Sequence, residues 1–210
     1  MSPVRSPKPR ATARSPRRAR PSVPVTAVLF DLGDTLVDEE LWGTGEDPVL
    51  PGVRETLPLL AKDRRLGILS NSVAATRIDV ARALEAVGIA EHFSAIVTSA
   101  EIGWRKPHPL VFEAALSALQ AQPGECAMVG NDLAADIAGA KGMGMRTIHF
   151  RWGTRYPLDP RAEGEAATLV VTRFSEIPAA LRRVEALRPP RRTSVVQEEN
   201  LVWEGLLPGS

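Results

Sequence analysis

Five side chains that could carry out chemistry follow apolar runs in this sequence. They are a carboxylate, a hydroxyl, an ammonium group and two further carboxylates: Asp31, Ser70, Lys106, Asp132 and Asp136. A short apolar run bounded by Gly, Ser or Asp is typical of a buried strand. In an open parallel sheet the carboxyl ends of the strands meet in one crevice, where ligands bind. We therefore expect these five groups to converge there.

Together these groups suit phosphoryl transfer. Carboxylate oxygens bind a hard cation such as Mg²⁺, and the metal and Lys106 would neutralise phosphate charge that otherwise repels an attacking carboxylate. Asp31 could then attack phosphorus and form an aspartyl-phosphate. The residues alone leave Asp31 open as a strand-end cap, Ser70 as a turn residue, Lys106 as a surface lysine and Asp132 as a helix N-cap.

Strands and helices must alternate to place these groups at one edge. Apolar runs predict strands at residues 25–30, 66–69, 93–97, 126–129, 145–150 and 169–171. Helical periodicity predicts helices at residues 53–63, 78–87, 110–120, 132–141 and 177–187. Such alternation implies an α/β fold, a doubly wound parallel sheet in three α/β/α layers.

The second of these helices has apolar residues at helical spacing. We expect Ile78, Ala81, Leu84 and Val87 to form its buried side. Gly88 should end it, because glycine readily adopts the left-handed conformation after a helix.

Charge is distributed unevenly along the 210 residues. Residues 1–24 carry seven basic residues and no acidic one, which leaves 19 basic against 25 acidic residues for the remainder. A mildly acidic folded part argues against a nucleic-acid-binding domain. The single cysteine, Cys126, lies in an apolar run and is expected to be an inert buried thiol. The lack of disulfides favours a cytoplasmic location, and no apolar stretch reaches membrane-spanning length.

The composition divides the chain into three parts. Residues 1–24 are rich in Pro and Arg and predict a disordered tail, with weak polyanion contact or targeting as alternatives. Residues 25–187 form the predicted domain. Residues 188–210 predict a second tail, whose apolar cluster around Trp203 could dock on this chain or on a partner.

Four segments in order resemble the motifs of the haloacid dehalogenase (HAD) superfamily. They are FDLGDTL, ILSNS, RKPHPLVFEAAL and MVGNDLAADIAGAKGMGM, and the resemblance extends over residues 25–187. A DxxxT motif alone would be weak, whereas four motifs in the right order are specific. The resemblance implies a HAD-like Rossmannoid fold and a Mg²⁺-dependent phosphatase.

The resemblance also implies a role for each matching residue. Asp31 would be the nucleophile, and Lys106 would orient it together with the phosphoryl oxygens. Ser70, the Asn71 amide and Thr35 would bind phosphate. The metal ligands would be Asp31, the Gly33 backbone, Asp132 and Asp136.

Gly33 departs from the family pattern, in which a second Asp two residues after the nucleophile acts as general acid and base. Asp34 is the nearest substitute, although a turn residue that bonds its own backbone is the simpler interpretation. A general acid contributes ~10²–10⁴-fold to rate. We therefore expect a slow phosphatase that favours aryl or acyl phosphates, whose leaving groups need no proton.

Two further departures concern the metal and the size of the chain. Asn131 occupies a position where many relatives carry a metal-binding Asp, which shifts that role to Asp132 or weakens the site. Only residues 37–50 could form a cap, so we expect no large cap domain and an open site. Such a site is expected for a phosphorylated macromolecule or for coverage by a second subunit in a homo-oligomer. A phosphorylated small molecule also stays open as the substrate.

The residues are also compatible with two other functions. Gly33 and Asn131 would also suit a protein that binds Mg²⁺ and phosphate as a scaffold without turnover. A protein tethered to nucleic acid by residues 1–24 is the other rival, and its binding would be sensitive to salt.

Overall fold

A computed structural model describes residues 23–152 and 169–193, and these form a six-stranded sheet with helices on both faces. All strand pairs are parallel, in the order β3-β2-β1-β4-β5-β6. The strands are β1 Ala27–Phe30, β2 Arg65–Ser70, β3 Phe93–Thr98, β4 Cys126–Gly130, β5 Arg146–Phe150 and β6 Leu169–Val171. The predicted doubly wound α/β fold is confirmed.

Six α-helices accompany these strands in the described residues. They are α1 Val53–Ala61, α2 Arg77–Ala86, α3 Ser99–Ile102, α4 Pro109–Ala118, α5 Gly139–Gly142 and α6 Ile177–Glu185. A π-helical turn, Leu133–Ala138, runs directly into α5. Three 3₁₀ turns, Ala90–His92, Pro123–Glu125 and Phe174–Glu176, precede β3, β4 and α6.

Strand β1 explains why the sheet needs helices on both sides. Its four side chains are fully buried, and successive residues of a strand point to opposite faces. Val28 and Phe30 belong to the core shared with α1, α2 and α6, while Ala27 and Leu29 belong to the core shared with α4 and α5. An apolar strand buried on both faces is therefore the centre of the three layers.

The order of the strands creates a crevice beside β1. From β1 the chain proceeds to β2 and β3 on one side and then returns to β4 on the other. This reversal is the topological switch point at which open α/β sheets bind ligands. The Asp31 amide donates to the Val129 carbonyl over 2.9 Å and fixes Asp31 at the end of β1.

Helix α2 buries part of the side expected for it. Leu84 is buried and Val87 packs against the core as expected, whereas Val80 is also buried and Ile78 is 52% exposed. The Thr76 capping box begins the helix, and Glu101 accepts hydrogen bonds from the backbone N and Nε of Arg77. These contacts fix the rotation of the first turn and leave Ile78 towards solvent. Gly88 follows the helix with φ +68°, as predicted.

The segment between β1 and α1 is short and contains no separate domain. It is held by isolated bridges that pair Val37 with Gly33 and with Val49. Within the described residues, the expected absence of a large cap between β1 and α1 is therefore confirmed.

The ends of the chain are described only in part. The proposed N-terminal tail lies almost wholly outside the described residues, as does the Trp203 cluster. Residues 188–193 are described and contact the domain, since the Thr193 amide donates to the Gly142 carbonyl over 2.8 Å. No helix among the described residues is long and apolar enough to cross a membrane, and the cytoplasmic location remains a prediction.

Candidate active site

A cavity of about 530 Å³ opens at the switch point beside β1. Among its walls are seven of the predicted site residues: Asp31, Gly33, Ser70, Asn71, Lys106, Asp132 and Asp136. Four carboxylates face two cations across it, because Glu39 and Arg105 also line the cavity. This excess of negative charge favours a bound cation.

Asp31 and Lys106 form the centre of the site. The Lys106 Nζ donates to Asp31 Oδ1 over 2.6 Å and to the Leu69 carbonyl over 2.7 Å. Burial alone would lower the pKa of Lys106, but the carboxylates of Asp136 and Asp31 outweigh it and raise the pKa above its usual range. Lys106 therefore stays charged and holds one oxygen of the Asp31 carboxylate in place.

Asp136 is the second partner of Lys106. Its Oδ1 lies 2.7 Å from Lys106 Nζ, and its Oδ2 accepts from the Asp132 amide over 3.1 Å. The side chain is almost fully buried, and burial raises its pKa above the ordinary value for Asp against the opposing effect of Lys106. A buried ammonium held by two carboxylates explains how a charged lysine is tolerated in the interior.

Asp132 has the capping role that the residues alone left open. Its Oδ1 accepts from the amides of Ala134 and Ala135, each over 2.8 Å, at the start of the π-helical turn. The side chain is nevertheless exposed and lines the cavity. Capping fixes the orientation of the carboxylate at the site, so this role is compatible with metal ligation.

Thr35 lies behind Asp31 and Asn131, which both line the cavity. The Thr35 Oγ1 is 3.5 Å from Asp31 Oδ2 and 3.5 Å from Asn131 Oδ1. Thr35 is fully buried and is not among the residues that line the cavity. Its position favours support of the Asp31 carboxylate over the direct phosphate contact that the resemblance implied.

Asn71 has a role in addition to the phosphate-binding amide that the resemblance implies. Its Oδ1 accepts from the Lys106 amide over 2.7 Å, and its Nδ2 donates to the Lys106 carbonyl over 3.1 Å. Ser99 donates to the same Oδ1 over 3.1 Å. The Asn71 side chain thus fixes the backbone of Lys106, and only the fold reveals this pairing between distant segments.

The acidic residue beside Gly33 is Glu39. A Cβ atom built on Gly33 would overlap the Glu39 Cγ, Cδ and Oε1 atoms. Asp34 is buried with φ 51°, does not line the cavity, and accepts from the Glu39 amide over 3.2 Å. Sequence reasoning considered Asp34 and missed Glu39, for which the acidic run of residues 38–40 was the only available signal.

The two histidines near the site have structural contacts. The His108 Nδ1 accepts from the Leu110 amide over 3.3 Å at the start of α4, and its ring stacks on Trp104. The His149 Nε2 lies 3.0 Å from the Asn131 carbonyl.

A metal ion at this site would be held by few protein side chains. Among the described residues, no group of three or more His, Cys, Asp and Glu side chains is arranged to hold a metal. Both oxygens of Asp136 are engaged, Oδ1 with Lys106 and Oδ2 with the Asp132 amide. Asp31 pairs with Lys106 through Oδ1, so Asp31 and Asp132 are the better-placed carboxylates. Mg²⁺ fits this donor set, because it commonly uses one or two carboxylates together with water and substrate phosphate.

Comparison with known proteins identifies the class. The profile of the haloacid dehalogenase-like hydrolase family matches residues 37–144, half of the chain. The chain belongs to this family, and the resemblance drawn from its four motifs is confirmed.

Individual relatives include phosphatases. The glyceraldehyde 3-phosphate phosphatase of Pyrococcus furiosus is 35% identical over 135 residues, which cover 64% of this chain and 55% of the relative. The phosphoserine phosphatase of Thermus thermophilus is 39% identical over 113 residues, covering 51% and 43% of the two chains. This chain thus spans about half the length of the curated relatives it matches.

Solved structures share the fold. A protein from Listeria monocytogenes serotype 4b superposes with a TM-score of 0.61 at 26% identity, over 76% of this chain and 98% of the other. The HAD phosphatase from Thermococcus onnurineus has a TM-score of 0.54 at 25% identity, over 64% and 58%. The magnesium-bound HAD-hydrolase YfnB from Bacillus subtilis, at 14% identity, supports the fold alone.

Proposed function

We propose that this protein is a Mg²⁺-dependent phosphatase that acts through an aspartyl-phosphate on Asp31. The observation that carries the proposal is the buried Lys106 ammonium, 2.6 Å from Asp31 Oδ1 and 2.7 Å from Asp136 Oδ1 at the cavity wall. This arrangement holds a carboxylate in one orientation at a site able to receive an anion. The phosphatases among the relatives support the same reaction class.

Each residue would have a defined part in the reaction. The Asp31 carboxylate attacks phosphorus as the bond to the leaving oxygen breaks. Ser70 and the Asn71 amide bind phosphoryl oxygens, and Lys106 offsets the charge that gathers there. Asp31 and Asp132 would hold Mg²⁺, which supplies positive charge to the phosphoryl oxygens when bound.

The substrate is proposed to be a small phosphate ester. The phosphatases named above act on glyceraldehyde 3-phosphate and phosphoserine, according to their names. The cavity of about 530 Å³ falls in the range of small-ligand sites. Arg105 is exposed at its wall and could attract a second anionic group of the substrate. We predict three further partners: a phosphorylated macromolecule, a second subunit, and a polyanion that contacts residues 1–24.

The proposal is tested by hydrolysis of 4-nitrophenyl phosphate with Mg²⁺ and after treatment with EDTA. We expect metal-dependent turnover in the wild type and its loss in Asp31→Asn, which keeps the shape of the side chain and removes the nucleophile. Asp63→Asn, at an exposed position away from the cavity, is the matched control and should retain activity.

The scaffold alternative predicts a different result in the same assay. Such a protein would bind inorganic phosphate and Mg²⁺ in calorimetry, yet the wild type would release no nitrophenol. Gly33 and Asn131 are the residues that favour this alternative. Turnover that persists in Asp31→Asn would contradict both the proposed mechanism and the scaffold.

A further inference from the structure

The proposed phosphatase needs a group that moves protons, and Gly33 cannot provide one. When an alkyl phosphate is cleaved, the leaving oxygen needs a proton, and the water that later attacks the aspartyl-phosphate must lose one. The following inference rests on the proposed function and concerns the group that meets this need.

Three of the four carboxylates that line the cavity already have other tasks. Asp31 is the proposed nucleophile, and Asp136 pairs with Lys106 and the Asp132 amide. Asp132 caps the π-helical turn and is a proposed metal ligand. Glu39 is the fourth carboxylate, and no role in the reaction described so far involves it.

The Glu39 carboxyl group occupies the space where a side chain at position 33 would begin. The three atoms nearest to a Cβ built on Gly33 are Oε1, Cδ and Cγ of Glu39, all too close for a real Cβ. Gly33 is not among the glycines with positive φ, so its backbone does not itself require glycine. The Glu39 side chain therefore occupies the volume that a side chain at position 33 would enter.

The loop that begins at the end of β1 returns Glu39 to this position. The amides of Leu36 and Val37 donate to the Leu32 carbonyl, over 2.9 and 3.2 Å. The Asp34 amide donates to the Val37 carbonyl over 2.6 Å, and Asp34 Oδ1 accepts from the Glu39 amide over 3.2 Å. Asp34 thus contributes by positioning Glu39, which explains a buried aspartate that does not reach the cavity.

We infer that Glu39 is the general acid and base of the reaction and replaces a side chain that position 33 lacks. As Asp31 Oδ bonds to phosphorus, the bond to the leaving oxygen breaks and the Glu39 carboxyl gives that oxygen its proton. In the second step the Glu39 carboxylate takes a proton from water. The water oxygen bonds to phosphorus, the bond to Asp31 breaks, and phosphate leaves.

This inference changes the substrate preference expected from Gly33 alone. Without an acid, only esters with good leaving groups, such as aryl and acyl phosphates, would react. With Glu39 in place, the protein also cleaves alkyl phosphates such as glycerol phosphate, whose alkoxide must be protonated as it leaves.

The first test compares Glu39→Gln with the wild type on two substrates of different leaving group. Glycerol phosphate turnover should fall ~10²–10⁴-fold in the variant, the usual contribution of a general acid. With 4-nitrophenyl phosphate the first step should persist and the second should slow. One equivalent of nitrophenol then appears in a burst, and the phosphoenzyme accumulates. Glu40→Gln, the adjacent exposed carboxylate, which does not line the cavity, is the matched control.

The second test moves the carboxyl group to position 33. Gly33→Asp with Glu39→Gln should recover much of the glycerol phosphate turnover lost in Glu39→Gln. The new side chain has only the far end of a flexible residue to displace, so the fold should accept it. Thermal unfolding of each variant checks this directly.

The outcomes separate this inference from the function on which it rests. If Asp31→Asn hydrolyses the substrates at the wild-type rate, the proposed phosphatase mechanism is wrong. If Asp31→Asn abolishes activity but Glu39→Gln cleaves glycerol phosphate at the wild-type rate, the phosphatase stands and the role of Glu39 is wrong. The double variant Gly33→Asp with Glu39→Gln provides another check. If it cleaves glycerol phosphate no faster than Glu39→Gln alone, a carboxyl group at position 33 does not take over the role of Glu39, and the inference is contradicted.

Discussion

At the scale of single residues, the buried Lys106 ammonium organises the site by contacting Asp31, Asp136 and the Leu69 carbonyl. The sequence predicts a lysine near Asp31, and the structure places its Nζ 2.6 Å from Asp31 Oδ1. The Leu69 carbonyl and the Asn71 contacts to its backbone were not predicted, because they depend on how β2 packs beside the Lys106 loop. Glu39 was missed for the same reason, since a loop path cannot be inferred from residue types.

The Asn71 side chain offers a graded test at this scale. Asn71→Ala removes both hydrogen bonds to the Lys106 backbone, so we expect kcat to fall and the free energy of unfolding to drop by about 1–3 kcal/mol. Asn71→Asp keeps the acceptor and loses the donor, so it should lie between Ala and wild type. Steady-state kinetics and urea unfolding measure the two effects. If both variants have the kcat and the free energy of unfolding of the wild type, Asn71 does not position Lys106.

At the scale of elements, apolar runs located all six strands to within one or two residues. The four central strands β1, β2, β4 and β5 are almost wholly buried, so their sequence signal is strong. Helix faces were harder to predict, as α2 illustrates: Thr76 and Glu101 set its rotation, and Ile78 became exposed. The turn at 133–138 was predicted as an ordinary helix, and its π-helical geometry has no signature in the periodicity.

The packing of α5 on α4 gives a prediction with a control in the same helix. A Cβ on Gly139 would lie 2.7 Å from Cε2 of the fully buried Phe112 ring and 2.9 Å from Cβ of the Pro107 ring. We expect Gly139→Ala to lower the free energy of unfolding by about 1–3 kcal/mol, as overpacked cores do.

Gly142→Ala is the matched control for this prediction. The nearest described atom to a Cβ there is Thr193 Oγ1 at 3.5 Å, an ordinary contact. Alanine in a helix should be neutral or stabilising by up to about 1 kcal/mol. Chemical denaturation of both variants provides the measurement, and equal destabilisation would show that the contact with Phe112 is not the cause.

At the scale of the whole molecule, the residues of the candidate active site and a set of stabilising contacts lie at opposite edges of the sheet. The cavity lies at the carboxyl ends of the strands, whereas the buried Arg146 begins β5 at the opposite edge. Its guanidinium donates to the Gly124 carbonyl, to Val23 over 2.7 Å and to Leu187 over 3.2 Å. These contacts join both ends of the domain, and no local pattern predicted them because their partners are backbone carbonyls far apart in sequence.

Replacing Arg146 should therefore reduce stability without changing the chemistry. Arg146→Met leaves buried carbonyls unpaired, at a cost of about 1–3 kcal/mol in the free energy of unfolding. Arg65→Met, which loses hydrogen bonds to the Gln120 carbonyl and the Thr26 hydroxyl at a less buried position, should cost about 1 kcal/mol or less. Phosphatase rates of the two folded variants should match the wild type. If Arg146→Met folds but loses kcat while Arg65→Met does not, Arg146 contributes to the reaction and this prediction is wrong.

The central claim, that Asp31 becomes phosphorylated, is tested most directly by locating the phosphoryl group. The wild type is mixed with 4-nitrophenyl phosphate and Mg²⁺, quenched in acid within one turnover, digested and analysed by mass spectrometry, with Glu39→Gln used to raise the yield. We predict an acyl phosphate, cleaved by hydroxylamine, on the peptide that contains Asp31 and absent from Asp31→Asn. A phosphoryl group on another residue, or turnover by Asp31→Asn, would contradict the account.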